Sequence, residues 1–183
     1  MNFLQFNKII SIKNFYIISD LERAQINKDI EYNYLKYSNP SLGYNFSIRE
    51  YNNSFFNKLY DKFLTESFRI FGNFSISEYN SSLCWCYRSC NDDFNSLYHD
   101  HTKTSNINAV YYYQTQEGDS ISFLSKNDEE MVYNVSEGEL LIFPGNLTHK
   151  PNPPVSVISD RYRYSINIEI RTNETTEEIF NRI

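Results

Sequence analysis

The histidines are the residues of this sequence with the clearest chemical potential, because imidazole can bind a metal or transfer a proton near neutral pH. The chain of 183 residues contains three of them. His99 and His101 lie two positions apart at the end of a predicted strand over 97–101, so both side chains should point to one face. His149 follows in the turn after a predicted strand over 139–143. In a sandwich of strands these two segments can be neighbours, which would bring the three rings together.

This set predicts a metal site; the simpler alternative is three unrelated histidines of the surface or core. Two ligands at i and i+2 and a third from a distant strand cover one face of an ion and leave the other open, as in non-haem iron sites. The cysteines of the segment CWCYRSC could instead form a zinc clamp, but a structural zinc site needs four ligands and no fourth one lies nearby. Cys84 and Cys86 are therefore expected to line one face of a buried strand.

A second group of polar residues lies on a predicted strand over 163–171. Strand alternation places four of them on one face: Arg163, Ser165, Asn167 and Glu169. A polar row that faces the interior needs partners. A dicarboxylate would provide them, since Arg163 can grip a carboxylate through two parallel hydrogen bonds and Ser165 can add a third. Two alternatives stay open: Arg163 pairs with an acid on the surface, or Arg161 is the residue that grips.

Three separated segments carry a more specific pattern. His99-Asp100-His101 leads into the aromatic stretch INAVYYYQ, the stretch EGELLIFPGNLTH ends in His149, and Arg163 begins the stretch RYSINI. In this order they resemble the motifs of the Fe(II)/2-oxoglutarate-dependent dioxygenase superfamily, and most of all its short prolyl-hydroxylase-like members from phages and marine bacteria. The resemblance covers about half of the chain, roughly residues 84–171. It implies an enzyme that couples oxidation of 2-oxoglutarate to succinate and CO₂ with hydroxylation of a C–H bond by O₂.

The resemblance also implies roles for individual residues. They are His99, His101 and His149 as ligands of Fe(II), and Arg163 and Ser165 as residues that bind the far carboxylate of 2-oxoglutarate. Tyr112, on the inward face of its own predicted strand, could donate its hydroxyl to the same carboxylate. The three histidines and Arg163 would form the catalytic set. The family usually carries Asp or Glu at the position of His101, so this chain departs from the pattern. The middle ligand is either His101 or Asp100 reached through a local bulge, and strand geometry favours His101.

The elements that must position these residues change in character along the chain. Residues 1–72 are predicted to be mainly helical, with a second helix over 54–71 whose apolar residues recur at helical spacing. Residues 73–171 read as about eight short strands linked by turns, and 172–183 as a C-terminal tail. The pattern predicts one domain over 1–183 that is mainly β with N-terminal helices. The expected architecture is a double-stranded β-helix, or jelly roll, with the helices packed on one sheet.

Composition limits the partners. The net charge is −6 and no basic stripe offsets it, which disfavours a nucleic-acid binder. The longest apolar runs are too short for a membrane span. Three cysteines and an N-terminus interrupted by polar residues favour an intracellular protein of the cytoplasm, or of the host cytoplasm if the chain is viral. The expected partner is a small-molecule or peptide substrate, such as a peptidyl proline or a free amino acid, and the oligomeric state stays open.

Two other functions fit the same histidines. A cupin-type dioxygenase would bind iron through three histidines without 2-oxoglutarate, and it would have no need of Arg163 and Ser165 on their strand. A non-catalytic jelly-roll binding or virion protein would keep the metal for stability alone. That protein would show metal-dependent melting without consumption of oxygen.

Overall fold

The computed structural model describes residues 8–37, 45–47, 54–77, 83–89, 96–155 and 162–183. Within these ranges the elements are β1 (Ile10–Ile12), α1 (Asp20–Tyr37), β2 (Asn45–Ser47), α2 (Ser54–Phe71), β3 (Leu83–Ser89), β4 (Ile107–Gln114), β5 (Ser120–Leu124), β6 (Glu130–Asn134), β7 (Leu140–Pro144), β8 (Thr148–Pro151), β9 (Arg163–Ile170) and α3 (Thr176–Phe180). The protein is thus mostly antiparallel β-sheet with three helices among the described residues.

The strands form two sheets. The large sheet has six strands in the order β1-β7-β4-β9-β3-β2, and the small sheet has three in the order β6-β5-β8; every neighbouring pair is antiparallel. An isolated bridge between His99 and His149 extends the small sheet beyond β8. In this bridge the His99 amide donates to the His149 carbonyl at 3.0 Å, and the His149 amide donates back at 2.9 Å. The backbone itself therefore places these two histidines side by side.

The large sheet is covered on its outer face by helices. Alternation along β9 sends Tyr164, Ile166, Ile168 and Ile170 into a core with alternate residues of β4. Helix α2 contributes its apolar face to the same core, in which Leu59 and Phe63 are fully buried, and α1 contributes Ile26 and Ile30. Packing on the sheet stabilises both helices, because a helix of this length gains most of its stability from tertiary contacts.

A second, smaller core lies between the two sheets. It contains residues of β4, β5 and β7 and of the segments after β6 and β7: Val110, Tyr112, Ile121, Phe123, Val135, Leu141, Phe143 and Leu147. The opposite face of β9 from Ile166 also points into this space, but its residues are polar, as the alternation predicts. The space between the sheets is therefore apolar on one side and polar on the other.

The predicted helix over 54–71 is confirmed in detail. Helix α2 has the predicted bounds, and Gly72 ends it with a left-handed φ of 73°. A capping box begins α1: the Glu22 amide donates to Ser19 Oγ at 3.3 Å, and the Ser19 amide donates to the Glu22 carboxylate at 3.1 Å.

Other predictions are wrong about the type of element. The predicted strand over 97–101 forms only the bridge at His99. His149 was expected in a turn and lies on strand β8. The short strands β1 and β2 lie in a region predicted to be mainly helical, and helix α3 buries Ile179 and Phe180 within the predicted tail. Short strands carry too few residues to show a period, so pairing decides them.

Candidate metal centre

The three histidines converge at one end of the space between the sheets. Their ring centroids are 4.6 Å apart for His99 and His149, and 5.1 Å apart for His101 and each of the others. One ligand nitrogen from each ring lies within 4.8 Å of the other two. Three nitrogens on one ion at about 2.1 Å would lie within about 4 Å of one another. Small rotations of the rings are therefore enough to bring them onto a single ion.

Backbone carbonyls fix the tautomer of two of these rings. His99 Nδ1 lies 2.9 Å from the Leu97 carbonyl oxygen, and His149 Nδ1 lies 2.9 Å from the Leu147 carbonyl oxygen. A carbonyl oxygen can only accept, so each Nδ1 must carry a proton and donate it. The other nitrogen, Nε2, then keeps its lone pair. This is the form in which a histidine binds a metal, with the second nitrogen oriented by a hydrogen bond.

The third ring has a carboxylate as its partner. His101 Nδ1 lies 2.5 Å from Glu169 Oε1, and the Glu169 side chain is only 4% exposed. The backbone amide of His101 donates to the Gly145 carbonyl at 2.8 Å, which ties the residue to the turn after β7. Nε2 is thus the nitrogen that His101 can give to a metal. Each of the three rings presents the same atom.

Asp100 takes no part in the cluster. Its side chain is exposed, and Oδ1 accepts a hydrogen bond from the Thr102 amide at 3.0 Å. The bonds from Thr102 lower the pKa of the Asp100 carboxyl. In the structure the middle position of the cluster is therefore occupied by His101, while Asp100 caps the turn that follows.

Burial makes His149 a neutral ligand. Its residue is 4% exposed, and burial lowers the pKa of the His149 imidazole from 6.5 to about 3. The neighbouring histidines lower this pKa further, and the bond to the Leu147 carbonyl opposes the shift. A neutral imidazole needs no deprotonation before it binds a metal. The donor set of three imidazole nitrogens fits a divalent first-row ion such as iron.

The residues predicted to bind a carboxylate also lie together on the inner face of the large sheet. Arg163 is 2% exposed, and its Nη1 donates to the Asn152 carbonyl at 2.9 Å. Tyr112 is paired with Ser165 across β4 and β9. Burial raises the pKa of the Tyr112 phenol, and the nearby charge of Arg163 opposes this. Asn152 follows His149 by three residues, about 10 Å at the rise of a strand, so the guanidinium lies within a short molecule's length of the histidines.

Two residues that the structure brings to the histidines were not predicted to contact them. Glu169 was placed in the inward polar row, but a contact between it and His101 depends on a pairing of distant segments. Trp85 lies on the inner side of β3, opposite Asn167, and its ring centroid is 6.3 Å from that of His101. In the sequence, the alternation of β9 indicates that Glu169 faces inward. Nothing in the sequence indicates which face of β3 carries Trp85.

The cysteines do not contribute to a metal cluster in the part of the chain that the structure describes. The histidines form the cluster of ligands found there. Cys86 is fully buried in the core between the large sheet and the helices, as predicted for a structural residue. The side chain of Cys84, and Cys90 and Arg161, lie outside the described residues.

Comparison with solved structures places the fold. A prolyl 4-hydroxylase from Phytophthora capsici superposes with a TM-score of 0.68 at 7% identity, over 94% of this chain and 61% of that one. A prolyl hydroxylase from Trichoplax adhaerens, solved with a peptide fragment of the hypoxia-inducible factor oxygen degradation domain, gives 0.61 at 14% identity, over 93% and 86%. The non-haem alpha-ketoglutarate-dependent carbocyclase SnoK of nogalamycin biosynthesis gives 0.66 at 9% identity, over 96% and 86%. The sequence matches no family model and no curated protein.

These likenesses establish the fold, which is the one found in prolyl hydroxylases and other 2-oxoglutarate-dependent iron oxygenases. The chain spans 61% of the length of the Phytophthora protein. Identities of 7–14% leave the reaction and the substrate to be argued from this chain's own residues. Within the described residues, no helix is both long and apolar enough to cross a bilayer.

Proposed function

We propose that this protein is an Fe(II)- and 2-oxoglutarate-dependent oxygenase that hydroxylates a peptide, an amino acid or another small substrate. The observation that carries the proposal is the convergence of His99, His101 and His149, each with Nδ1 bonded and Nε2 available, in the fold of such enzymes. Iron bound there would supply the oxidising chemistry with O₂, and the protein's own residues would position the ion and the co-substrate. They hold the ion, bind the co-substrate and exclude water.

The co-substrate would be held by the inner face of the large sheet. Arg163 presents a buried guanidinium, whose planar fork suits two parallel hydrogen bonds to a carboxylate. Ser165 and Tyr112, paired across β9 and β4, can add hydroxyl donors to the same carboxylate. The Asn152 carbonyl fixes the guanidinium on one side, so that its position is set before the co-substrate arrives. A five-carbon dicarboxylate could then reach from Arg163 to the ion at the histidines.

We further propose that the two sheets are a double-stranded β-helix and that residues 1–183 form one oxygenase domain. Along the chain β3, β4, β7 and β9 belong to the large sheet, whereas the His99 bridge, β5, β6 and β8 belong to the small one. The chain thus crosses between the sheets again and again, as it does in jelly rolls. Helices α1 and α2 support the large sheet from outside, and β1 joins its edge.

The proposal is tested by anaerobic titration of the metal-free protein with Fe(II) and then with 2-oxoglutarate. A weak visible charge-transfer band that appears only when both are present, and that is lost with His149→Ala, is the expected result. Succinate release with O₂ then measures turnover. Oxygen consumption that does not depend on 2-oxoglutarate would favour a cupin-like three-histidine dioxygenase, and metal-dependent melting without oxygen consumption would favour a non-catalytic protein.

A further inference from the structure

We infer that Glu169 is a positioning residue for the metal centre, which holds the middle ligand His101 in its binding form and places a negative charge behind the ring. The inference rests on the proposed metal site at the three histidines. The contact itself is a close approach of 2.5 Å between His101 Nδ1 and Glu169 Oε1. Two lone pairs would repel each other at this distance, so a proton must lie between the imidazole nitrogen and the carboxylate oxygen.

The contact with His101 is the main polar contact of the Glu169 side chain among the described residues. The side chain is 4% exposed, and Oε2 has no hydrogen-bond partner among the described residues. Glu169 lies on β9, opposite Asn108 of β4 and Leu83 of β3, so it stands in the middle of the large sheet and not at an edge. Burying a carboxylate there carries a considerable cost in free energy, and the contact with His101 is the one that offsets part of it among the described residues.

Glu169 acts through His101 and is not itself a ligand in this arrangement. It contacts the Nδ1 side of the ring, whereas the metal would be bound by Nε2 on the other side. The three histidines have ligand atoms within 4.8 Å of one another, and Glu169 is not part of that cluster. The arrangement would be a carboxylate–histidine–metal triad, in which the carboxylate orients the imidazole and raises its basicity.

His101 needs such a partner more than the other two ligands do. His99 and His149 are paired by their backbones, and each bonds through Nδ1 to the carbonyl two residues earlier. His101 lies beyond the bridge, held through its amide by Gly145 and through its ring by Glu169. Three neutral imidazoles bring no negative charge to a divalent ion. Glu169 brings one to the far side of the ligand that has the least support from the backbone.

The test compares metal affinity and histidine tautomers in variants of the full chain. Co(II) affinity is measured by competition with a chromophoric chelator, and the tautomer of His101 by ¹⁵N NMR of the metal-free protein. Glu169→Ala should lower Co(II) affinity about 10–100-fold and let His101 exchange between tautomers. Glu169→Gln should keep the Nδ1–H tautomer, because the amide oxygen still accepts, and should lose affinity to a smaller extent.

Glu139→Gln is the matched control. Glu139 is a fully buried carboxylate at the start of β7, bonded to Ser11, Lys13, Tyr133 and Ser136 and away from the histidines. Its substitution should lower the melting temperature and leave Co(II) affinity and the His101 tautomer unchanged. A loss of affinity equal to that of Glu169→Ala would mean that any damage to the sheet weakens the site, and it would overturn the inference.

Failure of the metal site and failure of the role of Glu169 give different results in these measurements. If wild type and His149→Ala bind Co(II) equally, the metal site itself is wrong and the proposed function fails. If His149→Ala abolishes binding while Glu169→Ala and Glu169→Gln both bind like wild type with a single His101 tautomer, only the role of Glu169 is wrong. Should Glu169→Ala fail to fold, Glu169→Gln decides: unchanged affinity overturns the inference, and a several-fold loss supports it.

Discussion

At the scale of single residues, the candidate site depends on where each imidazole keeps its proton. Two rings donate through Nδ1 to backbone carbonyls, and the third contacts a buried carboxylate through Nδ1, so that Nε2 is the nitrogen that each ring can offer to an ion. His149 adds a second effect, because burial disfavours its charged form. A site built in this way is prepared for a cation before the cation binds, and its protonation should be visible in the stability of the metal-free protein.

The lowered pKa of His149 predicts a pH dependence of folding. The imidazole pKa is about 3 in the folded chain and near 6.5 when unfolded, so between these values the unfolded state binds the extra proton. The contribution to stability is complete above pH 6.5 and falls by about 1.4 kcal/mol for each pH unit below it, toward pH 3. The measurement is urea unfolding of metal-free wild type and His149→Gln at pH 7 and pH 5. Equal losses in the two proteins would contradict the shift.

Arg163 carries the prediction about the co-substrate. Breaking a buried pair between its guanidinium and a carboxylate costs roughly 3–5 kcal/mol. Arg163→Ala should therefore raise the apparent Michaelis constant for 2-oxoglutarate by about two to three and a half powers of ten. Iron binding should be unchanged. Arg163→Lys should restore only part of the affinity, because an ammonium cannot present the planar fork.

Arg88→Ala is the control for Arg163. Arg88 lies on the neighbouring strand β3, opposite Tyr164, and its guanidinium faces the helix side, where it bonds Glu31 of α1 at 2.8 Å. Its loss should affect stability and leave the Michaelis constant for 2-oxoglutarate near the wild-type value. If Arg88→Ala and Arg163→Ala raise the constant equally, Arg163 does not bind the co-substrate directly.

At the scale of elements, the turn between β7 and β8 positions the middle ligand. The Gly145 carbonyl accepts from the His101 amide, and the Gly145 amide donates to the Asn106 carbonyl at 2.9 Å. A Cβ at this position would overlap the Ser105 carbonyl oxygen, which is backbone and cannot rotate away. The glycine is therefore required by the close approach of two chain segments, and both segments lead to histidines of the candidate site.

Gly145→Ala should accordingly weaken metal binding as well as folding. The displaced turn shifts the backbone that holds His101, so we expect a loss of Co(II) affinity of about tenfold or more, in the range of other supporting changes. The control is Gly72→Ala at the end of α2, where φ is 73° but nothing lies near the added Cβ. That change should cost about 1 kcal/mol of folding free energy from backbone strain and leave Co(II) affinity unchanged. Equal affinity losses would point to a general effect of stability.

Elements with a strong period could be predicted from the sequence, and pairings between distant segments could not. The apolar spacing of α2 and the alternation of β9 gave their bounds and their buried faces, because each property is local. The strand at His149 and the bridge at His99 are stabilised by each other, and neither segment shows a period of its own. The same limit explains Glu169, whose polarity and face were evident while its contact with His101 was not.

At the scale of the whole molecule, the candidate site lies where the two sheets meet. His99 and His149 belong to the edge of the small sheet, whereas His101 is tied to the large sheet through Gly145 and Glu169. An ion bound by all three would therefore connect the two sheets at this end, where polar side chains replace the apolar core found between β4, β5 and β7. The helices on the outer face of the large sheet contribute to its stability from the opposite side.

Metal binding should therefore stabilise the whole fold and one segment most of all. At a free Co(II) concentration 100 times the dissociation constant, binding adds about 2.7 kcal/mol, or roughly 5–10 °C in melting temperature for a chain of this size. His149→Ala should show no such shift. Hydrogen exchange locates the effect: the amides of His99 and His101, which bond across to His149 and Gly145, should exchange more slowly with Co(II). The Tyr111 amide of β4, already inside the large sheet, should be slowed only by as much as global unfolding is suppressed. Equal slowing at all three amides would mean that the ion stabilises the fold without joining the two sheets at the histidines.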